Sequence, residues 1–177
     1  MKLKDALIVL FAVVLVGVLG YIWFTPTGLT RAPDITVTTI HGKHIDLAKL
    51  RGRPVLITFW ATTCPGCVAE MPHLIKLYKD LAPKGLEVIG VAMNYDPPNQ
   101  VMAMAKERNI PYPVAVDTQG KVAKAFGDIQ LTPTSFLIAP DGRIVKQKIG
   151  EMNMEAVRKQ ILTMTASGAA SGAHVAG

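Results

Sequence analysis

The sequence is poor in cysteine, and this scarcity narrows the kinds of site that it can hold. Of its 177 residues only Cys64 and Cys67 are cysteines. A structural zinc site needs four ligands, and the chain has no second cysteine pair and no cysteine–histidine pair at ligand spacing. A disulfide across two intervening residues closes a very small loop, where the gain in stability from cross-linking is smallest. The pair therefore favours neither a zinc centre nor a purely structural cross-link.

Clusters of a single charge sign are missing as well. The chain carries 19 lysines and arginines against 13 aspartates and glutamates, a net charge of +6, and the basic residues are scattered. A nucleic-acid-binding surface needs basic residues gathered on one face, so no nucleic-acid partner is expected. The spacing of the ligand-type residues predicts no metal site, and nothing in the sequence indicates a cofactor.

One long apolar run stands near the start of the chain. Ala6 to Phe24 comes close to the ~20 residues that a membrane-spanning helix needs. Lys2 and Lys4 precede the run and favour a cytoplasmic position for residues 1–5. A cleaved signal peptide is the alternative, but no Ala-x-Ala site follows the run. We expect an uncleaved anchor over residues 6–24, and either interpretation exports the rest of the chain.

Composition divides the remaining chain into three segments. Residues 25–31 form a linker, and residues 32–165 have the size of one domain with its own core. Residues 166–177 are almost entirely Ala, Gly and Ser. Such a tail cannot bury enough apolar surface to offset the entropy of ordering it, so we expect it to be disordered.

Alternating strand and helix patterns fill the domain. Apolar runs followed by helical periodicity indicate parallel strands with crossover helices, and turns containing Gly or Pro-Asp-Gly indicate two hairpins. The prediction is an α/β fold with a mixed sheet flanked by helices. The predicted elements are hairpin strands at 35–40 and 44–47, strand 55–60, helix 65–82, strand 86–93, helix 98–108, an extended segment at 112–116, helix 121–126, hairpin strands at 134–139 and 143–149, and a last helix capped by Asn153.

The two cysteines lie in the stretch Trp60-Ala-Thr-Thr-Cys64-Pro-Gly-Cys67, between a predicted strand and a predicted helix. Cys64 therefore comes at or just before a helix N-terminus, where unpaired N–H groups and the helix dipole favour an anion. A thiolate forms more readily there, and a thiolate is the attacking species in thiol–disulfide exchange. Cys67 can then displace the partner that Cys64 has captured. The spacing favours redox chemistry.

Six short motifs, taken with this order of elements, carry a family resemblance. They are Gly52-Arg-Pro54, Phe59-Trp60-Ala61-Thr62, Cys64-Pro-Gly-Cys67, Glu70-Met71-Pro72, Leu131-Thr132-Pro133-Thr134 and Pro140-Asp141-Gly142. Over residues 32–165 the chain resembles the thioredoxin superfamily and, within it, the membrane-anchored TlpA/ResA-type thiol–disulfide oxidoreductases. The resemblance implies a thioredoxin-like fold with an extra N-terminal β-hairpin, behind an N-terminal transmembrane helix.

The resemblance also implies roles for the matching residues. Cys64 would be the nucleophile and Cys67 the resolving thiol, and the two would form the redox-active disulfide. Pro133 would be a cis proline facing that disulfide, and Thr132 would offer backbone groups to an extended client segment. The remaining positions of the client-binding surface would be Trp60, Pro65 and Gly66.

Three positions depart from the family pattern. Thr63 stands where the family usually has tryptophan, and Thr58 stands where thioredoxin has a buried aspartate. The dipeptide Pro65-Gly66 differs from thioredoxin's order. Because the residues between the cysteines tune thiolate stability, the family's reduction potential is not carried over.

Glu70 matches a glutamate that ResA-type members place near their cysteine pair. It lies three residues after Cys67, on the same face of the predicted helix. If partly buried, it would have a raised pKa and could accept the proton of Cys67. The alternative is a solvated acid favoured by the helix dipole.

The leading interpretation is a bacterial inner-membrane protein with one membrane span and a periplasmic thiol–disulfide reductase domain. The resemblance implies exported client proteins with disulfides, in cytochrome c maturation or copper-site assembly. A transmembrane electron donor of the DsbD/CcdA type would have to re-reduce the protein in an oxidising compartment.

Two other functions remain open. Two thiolates can hold Cu(I), so a copper metallochaperone is possible, although such chaperones space their cysteines differently and add a distal histidine. His73 is nine positions after Cys64. A peroxidase of the peroxiredoxin kind is less favoured, because Ile57 and Ala61 stand where its site has Pro and Thr or Ser.

Overall fold

A five-stranded mixed sheet forms the centre of the domain. The computed structural model describes residues 11, 13–17 and 31–172 of the chain. The strands of this sheet are β3 (Val55–Trp60), β4 (Glu87–Ala92), β5 (Val114–Val116), β6 (Thr134–Ile138) and β7 (Ile144–Ile149). They lie in the order β5-β4-β3-β6-β7. The first three run parallel to one another, whereas β6 is antiparallel to both β3 and β7.

Four helices pack on this sheet, and they divide the apolar residues between its two faces. The helices are α1 (Pro65–Leu81), α2 (Pro98–Glu107), α3 (Lys121–Ala125) and α4 (Met154–Gly172). Successive strand residues point to opposite faces. Leu56 and Trp60 of β3 therefore join the cluster beneath α1, α2 and α4, while Ile57 and Phe59 join the cluster that contains α3 residues. Every residue of β3 is buried, which explains why all of its residues except Thr58 are apolar.

A separate pair of short strands covers the second face. β1 (Thr36–Thr38) and β2 (His44–Asp46) pair in antiparallel orientation. Val37 and Ile45 are buried in the α3-side cluster, and an isolated bridge joins Thr39 to Ala115 of β5. The two strands therefore pack on the sheet as an added layer.

The sequence prediction of a mixed sheet flanked by helices is confirmed. Element boundaries agree to within one or two residues, including the hairpin turn in which Gly142 has a φ of 84°. Asn153 caps the last helix as expected, since its side-chain oxygen accepts a hydrogen bond from the backbone N–H of Ala156 at 2.9 Å.

The end of the chain differs from the expectation of a disordered tail after Ala166. Helix α4 continues to Gly172. Alanine is the strongest helix former, and a helix whose first turns are already packed adds further residues at little cost. Residues 173–177 lie outside the described residues.

The predicted anchor over residues 6–24 falls mostly outside the described residues, as do residues 1–5 and 25–30. Residues 13–17 are helical. Among the residues that the structure does describe, no helix is both long enough and apolar enough to cross a bilayer.

Candidate active site

Cys64 and Cys67 form a disulfide at the start of α1. Cys64 is the N-cap of that helix, and Pro65 is its first residue, a position that suits proline because its missing N–H would have no partner there. The backbone N–H of Cys67 donates to the Sγ of Cys64 at 3.2 Å. Cys64 is half-buried, whereas only 4% of Cys67 is exposed. One cysteine therefore reaches the surface and the other lies beneath it.

A buried carboxylate holds the loop that leads into the cysteines. Both the backbone N–H and the hydroxyl of Thr62 donate to the carboxylate of Asp96, at 2.6 and 2.5 Å. Asp96 follows β4 and is only 2% exposed. Asp96 was not among the residues predicted from the sequence, although an acid just beyond the carboxyl end of a strand parallel to β3 was an available signal.

The loop before β6 faces the cysteine pair from the other side. The peptide bond between Thr132 and Pro133 is cis, as the family resemblance implies. A Cβ placed on Gly66 would lie 3.6 Å from Cδ of Pro133, and Pro133 and Cys67 line the same small cavity. The carbonyl of Pro133 accepts a hydrogen bond from Gly150 at 2.7 Å. Pro133 therefore lies directly against the Cys64–Cys67 turn.

Glu70 lies inside the domain, on the inner face of α1. Only 3% of the residue is exposed, and its Oε1 accepts a hydrogen bond from the backbone N–H of Met152 at 2.6 Å. It lines a small cavity of about 10 Å³ together with Cys67. The alternative of a solvated first-turn acid is therefore wrong.

Burial dominates the electrostatics of Glu70. It raises the pKa of the carboxyl group above its ordinary value, and the hydrogen bond from Met152 opposes this effect without cancelling it. The negative charge of Glu151 adds to the rise, and His73 works against it. Thr58 lines the same cavity and has no proton to exchange near neutral pH. Glu70 is thus the carboxyl group that lines this cavity together with Cys67.

The remaining residues that were expected to bind clients differ in their exposure. Pro65 is exposed and Gly66 is half-buried, so both accompany Cys64 at the surface. Trp60 is instead 5% exposed, and its indole packs on β4, where a Cβ on Gly90 would lie 3.2 Å from Nε1. The alternation of β3 directs the Trp60 side chain beneath α1, so little of it is exposed to a client in the free protein. Contact of Trp60 with clients stays a prediction.

Among the described residues, the fold brings no additional side chain to the cysteine pair that would favour the copper metallochaperone or the peroxidase. Within the described ranges, no group of three or more His, Cys, Asp or Glu side chains is placed to hold a metal ion, and His73 is exposed. A Cu(I) site would depend on the two sulfurs alone. Ile57 and Ala61 are fully buried apolar residues, so they offer no hydroxyl group to a peroxide.

Comparisons with known proteins agree with this geometry. A family profile described as Redoxin matches residues 29–162. The thiol–disulfide oxidoreductase ResA of Bacillus thuringiensis subsp. konkukian is 36% identical, over 76% of this chain and 77% of that protein. ResA of Bacillus subtilis is 32% identical, over 80% and 77% of the two chains.

A solved structure shows the same fold. The thiol:disulfide interchange protein of the thioredoxin family from Chlorobium tepidum superposes with a TM-score of 0.70 and 27% identity, covering 80% of this chain and 99% of that one. The cysteine pair, the cis proline and the profile match thus agree. The chain belongs to the Redoxin family and is a TlpA/ResA-type thiol–disulfide oxidoreductase of the thioredoxin superfamily.

Proposed function

We propose that this oxidoreductase works outside the cytoplasm as a reductase of client disulfides, with Cys64 as the nucleophile and Cys67 as the resolving thiol. The observation that carries the proposal is the unequal burial of the two cysteines. Cys64 is half-buried at the N-terminus of α1, whereas Cys67 is buried beside Glu70. A folded or extended client can therefore bring its disulfide to the first sulfur only.

In the first step, the Cys64 thiolate attacks one sulfur of the client disulfide. The client S–S bond breaks, a mixed disulfide forms, and the departing client sulfur takes up a proton. Two features support a thiolate at Cys64. The N-terminus of α1 stabilises negative charge, and the N–H of Cys67 donates directly to Sγ.

In the second step, Cys67 attacks the Cys64 sulfur of the mixed disulfide and releases the second client thiol. Cys67 must first lose its proton, and Glu70 is the group placed to accept it. Because burial raises the pKa of Glu70, its proton affinity comes closer to that of a thiol, which makes proton transfer more efficient. The client gains two electrons and two protons, and the enzyme is left with the Cys64–Cys67 disulfide.

The client segment binds along the cis-proline loop. We assign its contacts to the backbone of Thr132, the ring of Pro133 and the exposed Pro65-Gly66 turn, in the manner of strand addition. Leu131 is an exposed apolar side chain in the same loop. It offers a contact for an apolar residue of the client.

Location and partners complete the proposal. Residues 6–24 would anchor the chain in the bacterial inner membrane, with the domain in the periplasm. A transmembrane donor of the DsbD/CcdA type would return electrons to the disulfide, since that compartment is kept oxidising. The clients would be exported proteins whose paired cysteines must be reduced before haem attachment or copper-site assembly.

A Cys67→Ala variant expressed in the native host tests the proposal. It lacks the resolving thiol, so mixed disulfides through Cys64 should accumulate, and mass spectrometry of the trapped proteins identifies the clients. The matched Cys64→Ala variant should trap none. Trapping by Cys64→Ala instead would contradict the nucleophile assignment, and a reduction potential as high as that of periplasmic oxidants would contradict the direction.

A further inference from the structure

Tyr112 borders two cavities that are otherwise separate. One is the small cavity of about 10 Å³ beside Cys67 and Glu70, roughly the space of one water molecule. The other is an open groove of about 790 Å³ between the β1–β2 turn, α1 and the end of α2. Of the residues that line these two cavities, Tyr112 is the one that they share. Tyr112 therefore lies between the cavity that Glu70 lines and the open groove on this side of the domain.

Packing fixes the orientation of that ring. Tyr112 is 6% exposed and makes an edge-to-face contact with Tyr78, with ring centroids 5.9 Å apart. A Cβ on Gly90 would lie 3.3 Å from Cε2 of Tyr112, so the ring edge next to the hydroxyl rests on β4. A glycine at position 90 is what allows this close approach. The ring is thus fixed between β4 and Tyr78, at the boundary of the two cavities.

The mixed disulfide creates a need for a proton route on this side. A bound client covers Cys64 and Pro133, and the backbone N–H of Met152 already occupies one oxygen of Glu70. Glu70 itself is buried. A route through the interior would let the proton that Glu70 takes from Cys67 return to water without passing the client.

We propose that Tyr112 passes protons between Glu70 and water in the groove. The inference rests on the proposed role of Glu70. The phenol oxygen accepts a proton from the carboxyl group, directly or through one water in the small cavity, while the phenol proton moves to a groove water. The ring is neutral before and after the transfer, and no electron moves. Tyr112 does not touch the reacting sulfurs, so it acts through Glu70 as a positioning residue.

The electrostatic surroundings are consistent with a neutral relay. Burial, followed by the charge of Glu70, raises the pKa of Tyr112, so the phenol stays protonated in the physiological range. The charged groups that act on Glu70 are Glu151, before α4, and His73 on α1. Both remain unchanged in the variants below.

Single-turnover kinetics of the full-length reduced protein tests the inference. A disulfide-bonded peptide is mixed with the protein, the reaction is quenched with acid, and the mixed disulfide is measured over time across neutral pH. Tyr112→Phe keeps the ring and removes the hydroxyl. It should slow resolution by Cys67 about 100-fold, the lower end of what a positioned proton-transfer group contributes, and leave mixed-disulfide formation by Cys64 unchanged. Tyr78→Phe, which alters the same groove but not the small cavity, should match the wild type.

The double variant Glu70→Gln/Tyr112→Phe separates a proton role from a packing role. If Tyr112 acts through Glu70, the double variant resolves no more slowly than Glu70→Gln alone. Additive slowing, or a Tyr112→Phe variant that resolves at the wild-type rate, would overturn the inference and leave the proposed function standing. A Glu70→Gln variant that resolves at the wild-type rate would overturn the role of Glu70 and this inference together.

Discussion

Glu70 shows how one buried carboxyl group ties the chemistry of the site to the stability of the fold. Burial raises its pKa, and the N–H of Met152 partly offsets that rise. A group whose pKa is higher in the folded than in the unfolded chain favours folding at low pH. That contribution is lost as the pH rises from the unfolded value through the folded one.

We expect the raised pKa of Glu70 to make the free energy of unfolding depend on pH. The free energy of unfolding of the oxidised wild type should fall as the pH rises from the ordinary glutamate value of 4.5 through the raised folded value. Glu70→Gln should lack this component, so the stability difference between the two proteins should shift in favour of the variant with rising pH. Urea unfolding at a series of pH values measures it.

Glu155→Gln is the matched control, since Glu155 is an exposed acid on α4. It removes one carboxyl group from an exposed position, so the comparison isolates the effect of burial. A stability difference for Glu70→Gln that does not change with pH would show that the folded protein does not disfavour the charged form of Glu70.

The position of Glu70 could be predicted from the sequence, but its burial could not. Spacing of three residues from Cys67 places it on the same helical face. What closes it off is the segment around Met152, 82 residues away in the chain. Contacts at such separation leave no periodic signal in the sequence.

At the scale of elements, the ends of β3 and β4 are joined by the hydrogen bonds of Thr62 to Asp96. The two strands are parallel neighbours, so their carboxyl ends meet at one edge of the sheet, where α/β folds commonly place their sites. The loop carrying Cys64 is therefore tied to the loop after β4. Asp96 gives that loop a defined position before α1 begins.

Substitution of Asp96 tests whether its hydrogen bonds with Thr62 position the loop that carries Cys64. Asp96→Ala leaves the backbone N–H of Thr62 without its partner and should cost about 1–3 kcal/mol of stability. It should also slow alkylation of reduced Cys64, because the sulfur is no longer held at the helix N-terminus. Asp96→Asn retains one oxygen for the N–H of Thr62 and should recover most of both effects. Equal losses in the two variants would show that charge, and not hydrogen-bond geometry, is what matters.

At the scale of the whole molecule, the sheet separates two apolar clusters, and one of them includes the cysteine pair. The cluster beneath α1, α2 and α4 contains Cys67. The opposite cluster contains Phe126, whose ring lies 5.4 Å from Phe59 and 5.0 Å from Phe136 between centroids. The second cluster stabilises the fold without touching the cysteine pair.

Two core substitutions should therefore behave differently. Phe126→Ala should lower the free energy of unfolding by about 3–5 kcal/mol and leave the reduction potential of the folded protein unchanged. Met71→Ala, on the α1 side, should lower stability by about 2–5 kcal/mol and also shift the reduction potential. Equilibration with glutathione, at a temperature where both variants remain folded, measures the two reduction potentials. A shifted potential in Phe126→Ala would contradict the separation.

The sequence by itself determined the local structure and the reactive pair. Apolar periodicity, turn residues and the Cys64-Pro-Gly-Cys67 spacing depend on neighbours along the chain, so they could be interpreted without a fold. Tertiary structure alone decided that Trp60 is buried, that Asp96 holds the cysteine loop and that Tyr112 borders both Glu70 and the groove. These features depend on which face each strand presents and on which distant segments close over it.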